Sequence, residues 1–306
     1  MAKDKTISYS EMAGNFGLLM NESLKPYTSF KIGGPADLLA LPKTVEELKG
    51  LLGYASERNI PVTLLGGGTN VLISDKGIRG LVIVTTHLKS AIRILDSTPE
   101  KTLVLAEAGE RLSAVCRFSI SHSLSGLEFA AGIPGTLGGA IAMNAGTKTG
   151  DMSRIVVDLT VLDTKTLALK TIEKKDLSFS YRRLELTAII VAATLALKPA
   201  DKAEIEQTVK RNLLLKNTTQ PVSVASAGCF FKNPPQGMSA GELIEKSGLK
   251  GMRFNDAMVS EIHANYIVNT GDATCDDILS LKKHIEKTVF NTYKVKLEPE
   301  VRVEGE

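Results

Sequence analysis

Three side chains sit among neighbours that invite chemistry. Cys229 lies in Ser226-Ala227-Gly228-Cys229-Phe230-Phe231-Lys232-Asn233-Pro234, where small residues set the thiol on a tight loop ahead of two aromatics. A thiol ionises near ~8.5 and adjacent cations lower that value, so Cys229 suits a nucleophile or a proton donor. A buried, inert thiol is the commoner fate of a lone cysteine. In Tyr181-Arg182-Arg183 a guanidinium could clasp a carboxylate bidentately, or simply be a surface cation after a strand. Glu300, in Glu298-Pro299-Glu300-Val301-Arg302, falls within a Val/Leu alternation and so either faces a site or is a solvated strand carboxylate. No metal set appears: His87, His122, His263 and His284 are scattered, and no H-E-x-x-H or C-x-x-C occurs.

Two glycine-rich segments add a second kind of chemistry. Gly66-Gly67-Gly68-Thr69-Asn70 follows an expected strand, and three glycines allow close backbone approach and bare N–H groups that can face an anion. It is neither G-x-G-x-x-G nor a P-loop, and taken alone a plain turn is the better reading. The second segment is Ala131-Gly132-Ile133-Pro134-Gly135-Thr136-Leu137-Gly138-Gly139-Ala140, with Asn144-Ala145-Gly146 beyond it. Two such loops in one region fit a diphosphate-bearing cofactor, and a glycine-lined hairpin is the alternative.

The elements that must position these groups alternate between strand and helix. Ala36–Leu41 reads as a strand. Thr44 as N-cap and Glu47 three residues on form a capping-box pattern, starting a helix that Asn59-Ile60-Pro61 ends. Val62–Leu65, Val71–Ser74 and Leu81–Thr85 read as strands. Residues 91–200 are mostly strand, with one helix over Ser113–His122 and a long loop over Ala130–Gly150. Pro199 reads as a linker. Beyond it come helices over Ala203–Lys216, Ser239–Ser247 and Cys275–Tyr293, and strands over Asn265–Asn269 and Val295–Leu297. The blocks 1–90, 91–200 and 201–306 are the expected domains.

Composition narrows the partners. The chain has 306 residues, and 37 basic against 34 acidic side chains leave +3. That balance gives no polybasic footprint for nucleic acid or an anionic membrane. Three well-separated cysteines argue against a disulfide framework and for a reducing compartment. No signal peptide and no apolar run near the ~18 residues of a membrane span is found, so a cytoplasmic protein is expected.

The strings Thr28–Gly34, Gly66–Leu72, Gly126–Gly139 with Asn144-Ala145-Gly146, Tyr181-Arg182, Ser226–Pro234, Ser260–Asn269 and Glu298–Arg302 occur in one order. Together they resemble the UDP-N-acetylenolpyruvoylglucosamine reductase (MurB) family, over nearly the whole chain. The resemblance implies an α+β, vanillyl-alcohol-oxidase/PCMH-type FAD-binding fold: two α+β subdomains hold FAD, and a C-terminal α+β domain closes over the substrate. It implies non-covalent FAD, NADPH as co-substrate and UDP-N-acetylglucosamine enolpyruvate as substrate, with no obligate protein partner. The pathway it implies is peptidoglycan precursor synthesis, and through it cell-wall biogenesis, cell shape and division.

By motif position, Gly66, Gly67, Gly68, Thr69, Asn70, Gly132, Ile133, Pro134, Gly135, Thr136, Gly139, Asn144 and Gly146 would meet FAD. Arg182 and Glu300 would stabilise the enolate that forms when hydride reaches the vinyl carbon, Glu300 holding a proton to do so. Cys229 would protonate the enol carbon. Many family members carry Ser there, so this chain substitutes a stronger acid that is also oxidisable. A second departure follows Tyr181-Arg182: Arg183-Leu184-Glu185-Leu186 runs quickly into the next strand, so the tyrosine-bearing loop of one subclass is missing. Tyr181, Lys216, Lys232 and Asn233 are then the candidates for gripping the sugar nucleotide. Two other readings are a covalent-flavin oxidase on the same fold, disfavoured because no His lies in 66–70, and a non-catalytic nucleotide-binding module.

Overall fold

The computed structural model describes residues 2–306, with side chains from Tyr9 onward. The chain divides into two compact units, and it passes between them several times. One comprises residues up to 18, 40–67 and 83–215; the other comprises 19–39, 68–82 and 216–306. Two segments of the first sequence block, 19–39 and 68–82, thus pack with the last ninety or so residues.

The first unit is built on an antiparallel sheet in the order Leu169–Glu173, Val156–Leu162, Ile189–Pro199, Thr102–Glu107, Arg93–Ser97. Ile189–Pro199 lies inside this order, and its almost unbroken apolar run is buried accordingly. Helix Leu112–Ser121 adds Leu112, Val115 and Cys116 to the same core as Val104, Leu159 and Leu195. Each large side chain so buried stabilises the fold by about 1.5–3 kcal/mol. Helix Val45–Glu57 begins as its sequence demands, with Thr44 Oγ1 accepting the Glu47 N–H at 3.1 Å. The Glu47 carboxylate accepts from Lys43 N at 2.7 Å, one residue before the cap.

The second unit carries a four-stranded antiparallel sheet in the order Ala225–Ser226, Ile267–Asn269, Ala257–Val259, Arg253–Phe254. Helix Cys275–Tyr293 sets Ile278, Leu281, Ile285 and Val289 into a core with Phe30, Leu72, Phe230 and Phe231. Its start is doubly capped. Thr274 and Asp277 form a capping box, and the Asp75 carboxylate accepts the N–H groups of Cys275 at 3.0 Å and Asp276 at 3.3 Å.

Several elements differ from the sequence expectation. Ala2–Phe16 is a helix that precedes the first expected element. Pro199 is not a linker: it ends the strand Ile189–Pro199 and pairs with Leu124. The loop expected over Ala130–Gly150 contains a helix, Leu137–Ala142, because Thr136 caps it and Leu137, Ala140 and Ile141 share a buried face. Val295–Leu297 forms no strand. Lys294 closes the preceding helix in a left-handed conformation, and Leu297 turns into the core ahead of Pro299. The C-terminal strand is instead Arg302–Glu304, which pairs in parallel with Val71–Ile73.

Candidate active site

In the first unit the two glycine segments meet. A Cβ on Gly67 would lie 2.8 Å from Gly135 Cα, and one on Gly66 would lie 2.8 Å from Thr136 Oγ1. Only glycine lets these backbones approach so closely. The second loop is itself pinned: Leu112 N donates to Gly135 O at 3.0 Å, Leu137 N to Glu110 O at 2.8 Å, and Gly138 N to Ala108 O at 2.9 Å. Thr136 is buried and its hydroxyl accepts the Gly139 N–H, so it holds the loop's shape. Gly132 and Pro134 are exposed at the loop's surface, Ile133 packs partly on the core, and Gly146 begins the short strand Gly146–Thr147. Among the described residues, the N–H groups of Gly66 and Gly67 donate no hydrogen bond. A side-chain-free surface with unspent backbone donors fits a diphosphate-bearing cofactor.

Asn144 is buried and reaches two neighbours: its Nδ2 donates to Ser180 O at 3.0 Å, and its Oδ1 accepts from Ser153 N at 3.0 Å. The first of these steadies the hairpin of Ser178–Ser180 and Arg183–Glu185, whose two turn residues are Tyr181 and Arg182. Arg182 stands at φ +58, a conformation that non-glycine residues take rarely and that clusters at functional sites. Its guanidinium lies 4.9 Å from the centre of the Tyr181 ring.

In the second unit Gly68 packs against the Tyr27 carbonyl so tightly that a Cβ has no space, and its own carbonyl accepts from Ser29 N at 2.9 Å. Thr69 and Asn70 are half-buried, and Asn70 Nδ2 donates to Glu300 O at 3.1 Å. The Phe230 carbonyl accepts Glu300 N at 2.8 Å, which ties the backbone of Glu300 to the residue after Cys229. Cys229 is half-buried. Its loop is fixed by Asn265, which is 3% exposed: Asn265 O accepts Phe230 N at 2.7 Å, Oδ1 accepts Phe231 N at 3.0 Å, and Nδ2 donates to Phe231 O at 2.8 Å.

Motif position named Lys216, Lys232 and Asn233, but it did not single out Tyr266 or Gln220. The Tyr266 hydroxyl donates to Gln220 Oε1 at 2.8 Å. Burial first, and then the charge of Cys229, push the Tyr266 phenol far above its usual range. Burial draws the ammonium of Lys216, in the last turn of helix Lys202–Thr219, below the ordinary lysine value, and the charge of Cys229 opposes that shift. Lys232 is ion-paired with Glu298, and Asn233 Oδ1 accepts the first N–H of helix Ala240–Lys246 at 3.0 Å. Asn265 and Tyr266 were legible only as strand residues. The available signal was two polar side chains heading the apolar run Ile267-Val268.

The other two thiols are of a different kind. Burial raises both Cys116 and Cys275 to about 12, with Glu128 adding to the first and Asp75 to the second.

Comparison with known families defines the class first. A model described as "FAD binding domain" matches residues 36–170, so the chain is a flavoprotein of the expected FAD-binding architecture. A second, described as "UDP-N-acetylenolpyruvoylglucosamine reductase, C-terminal domain", matches residues 220–304. The UDP-N-acetylenolpyruvoylglucosamine reductase of Syntrophus aciditrophicus is 43% identical over 292 residues, covering 94% of this chain and 92% of the relative. That of Lactiplantibacillus plantarum is 41% identical over 289 residues, covering 94% and 93%. The crystal structure of the Thermus caldophilus reductase (MurB) superposes with a TM-score of 0.80 at 34% identity, over 94% of this chain and 99% of that one. The chain belongs to the UDP-N-acetylenolpyruvoylglucosamine reductase family, and is an FAD-dependent oxidoreductase. The α+β, vanillyl-alcohol-oxidase/PCMH-type fold with a C-terminal α+β domain is its fold. Among the described residues, no helix is long and apolar enough to cross a membrane.

Proposed function

We propose that this enzyme reduces UDP-N-acetylenolpyruvoylglucosamine to UDP-N-acetylmuramate with NADPH, in the cytoplasm, as a step of peptidoglycan precursor synthesis. FAD, when bound, would supply the hydride chemistry, passing reducing equivalents from NADPH through flavin N5 to the vinyl carbon. Blocks 1–90 and 91–200 serve FAD, and 201–306 serves mainly the sugar nucleotide. The backbone of Gly66, Gly67, Gly135 and their neighbours takes the diphosphate, for which the unspent N–H groups are the support. Asn144 acts from beneath, by steadying the hairpin that bears Arg182.

Arg182 supplies a permanent positive charge where the enolate and its carboxylate develop, and Glu300, keeping a proton, donates a hydrogen bond to the same anion. Cys229 then gives its Sγ proton to the enol carbon. The observation that carries this reading is the half-buried Cys229, its loop clamped by Asn265 and tied to the Glu300 backbone. Clamping of this kind suits a group that must meet one carbon atom at a fixed distance. Tyr181, Lys216, Lys232 and Asn233 face the sugar nucleotide. Asn233 has Nδ2 to offer, since Oδ1 is committed to its helix. No nucleic acid, membrane or obligate protein partner takes part.

One anaerobic absorbance experiment tests the reading. NADPH should bleach the bound flavin, and UDP-N-acetylenolpyruvoylglucosamine should restore its colour. In Cys229→Ala bleaching should proceed normally and recovery should slow by about 10²–10⁴-fold. Recovery at the unaltered rate would remove Cys229 from the role of acid.

A further inference from the structure

We infer that Asn70 is a positioning residue for Glu300: its side-chain amide fixes the backbone at the point where the C-terminal segment changes partners, and so sets where the Glu300 carboxyl lies. The inference rests on Glu300 acting on the enolate, and goes beyond that reading by giving Asn70 a task apart from the cofactor.

The segment Glu298–Glu304 is tied to two different neighbours. Its first half follows the Cys229 loop. Lys232 N donates to Glu298 O at 2.8 Å, Phe231 and Pro299 form an antiparallel bridge, and Glu300 N donates to Phe230 O at 2.8 Å. Its second half runs parallel to Val71–Ile73, with Arg302 opposite Val71 and Glu304 opposite Ile73. There Arg302 N donates to Asn70 O at 3.1 Å and Ser74 N to Glu304 O at 2.9 Å. Glu300 stands at the change. Its N–H is given to the first neighbour, and its carbonyl accepts from Asn70 Nδ2, on the second, at 3.1 Å. A residue bonded on both sides of its Cα holds the direction in which its side chain leaves the backbone.

Asn70 can fix Glu300 because it is itself held. Gly68 O accepts Ser29 N at 2.9 Å, and a Cβ on Gly68 would strike the Tyr27 carbonyl, so the chain has no room to shift there. Two residues beyond Asn70, Leu72 is fully buried. On the other side, Val301 is 4% exposed and shares a core with Leu72, Phe230 and Phe231.

The direction of the amide follows from its partner. A carbonyl oxygen only accepts, so the NH2 end of Asn70 faces Glu300 O, and an aspartate there would set one acceptor against another. The residue type is thus accounted for by the Glu300 backbone. The consequence is for distance: a carboxyl that donates to a developing anion helps only when it is held within hydrogen-bond reach of it.

The test is a double-mutant cycle on the full-length enzyme saturated with FAD. It is read as flavin recovery on UDP-N-acetylenolpyruvoylglucosamine after anaerobic reduction by NADPH. Asn70→Ala should lower the limiting rate of recovery about tenfold, while the half-saturating substrate concentration stays within about twofold. Glu300→Ala should slow recovery more. Adding Asn70→Ala to it should slow recovery by less than about twofold further, because the residue that Asn70 positions is gone. Asn70→Leu fills the same space without a donor, and carries the test if Asn70→Ala does not fold. A residue that only held the cofactor or the fold would slow the wild-type and Glu300→Ala enzymes by the same factor. Equal factors in the two backgrounds, an unaltered rate in the Asn70 variant, or a loss confined to half-saturation overturns this inference and leaves Glu300 in its role. Unaltered recovery in Glu300→Ala overturns both.

Discussion

The glycine loops of the first unit and the thiol corner of the second are built on opposite principles. The loops work by lacking side chains: Gly66 and Gly67 lie against Gly135 and Thr136 with no space for a Cβ, and what they offer is backbone N–H. The thiol corner works by collecting side chains from four distant stretches, Lys216 with Gln220, Cys229, Asn265 with Tyr266, and Glu300. A backbone site has the same chemistry in every chain that can form it. A side-chain site carries a pKa and a geometry that each added residue adjusts. On the proposed function, cofactor binding falls to the first region and proton transfer to the second, so variants should damage one and spare the other.

The largest expected effect is on the side-chain region. Asn265→Ala would leave the buried N–H and C=O of Phe231 without the partners they now have. That should cost about 2–5 kcal/mol, read as a lower urea midpoint, and should blur the Cys229 alkylation profile while the protein stays yellow. Gly67→Ala makes the converse break. Its methyl would press on Gly135 Cα at 2.8 Å, costing about 1–3 kcal/mol and lowering FAD affinity by at least tenfold in a flavin titration. The Cys229 alkylation midpoint should not move.

A third experiment sharpens the contrast by showing where the regions agree. Each holds one structural thiol, Cys116 or Cys275, raised to about 12. An unfolded thiol loses its proton near ~8.5, so between ~8.5 and the folded value the unfolded chain binds fewer protons and stability falls as pH rises. The slope is about 1.4 kcal/mol per pH unit for each thiol. Urea midpoints measured from pH 8 to 10 should show this fall, and iodoacetamide at pH 8 should label Cys229 alone in the native chain. The smallest effect is a control far from both sites. Thr44→Ala removes the cap of helix Val45–Glu57 and should cost about 1 kcal/mol in thermal or urea unfolding, without changing flavin content or thiol labelling.

Much of the secondary structure could be read directly because local rules govern it. Helix Cys275–Tyr293 shows its apolar spacing, and Thr44 shows its cap. Reading failed where a partner distant in sequence decided the outcome. The C-terminal strand forms over Arg302–Glu304 because Val71–Ile73 offers it a parallel edge, a pairing that no local pattern encodes. The short helix Leu137–Ala142 was hidden by its glycines, which read as loop. Pro199 resembled a linker because proline usually interrupts, but at the end of a strand its missing N–H is harmless.

The amino-acid sequence by itself, through seven short motifs in the order of one family, pointed to an α+β flavoprotein reductase and proposed which glycines, arginine, cysteine and glutamate form its site. Short motifs can be read without a structure because their residues are neighbours in the chain. Only the tertiary structure decided that Asn265 clamps the Cys229 loop, that Arg182 sits strained at a hairpin tip, and that the Tyr266 hydroxyl donates to Gln220. Those residues come from segments tens of residues apart. Hydrogen bonding and desolvation act on distance in space, which spacing along the chain does not contain.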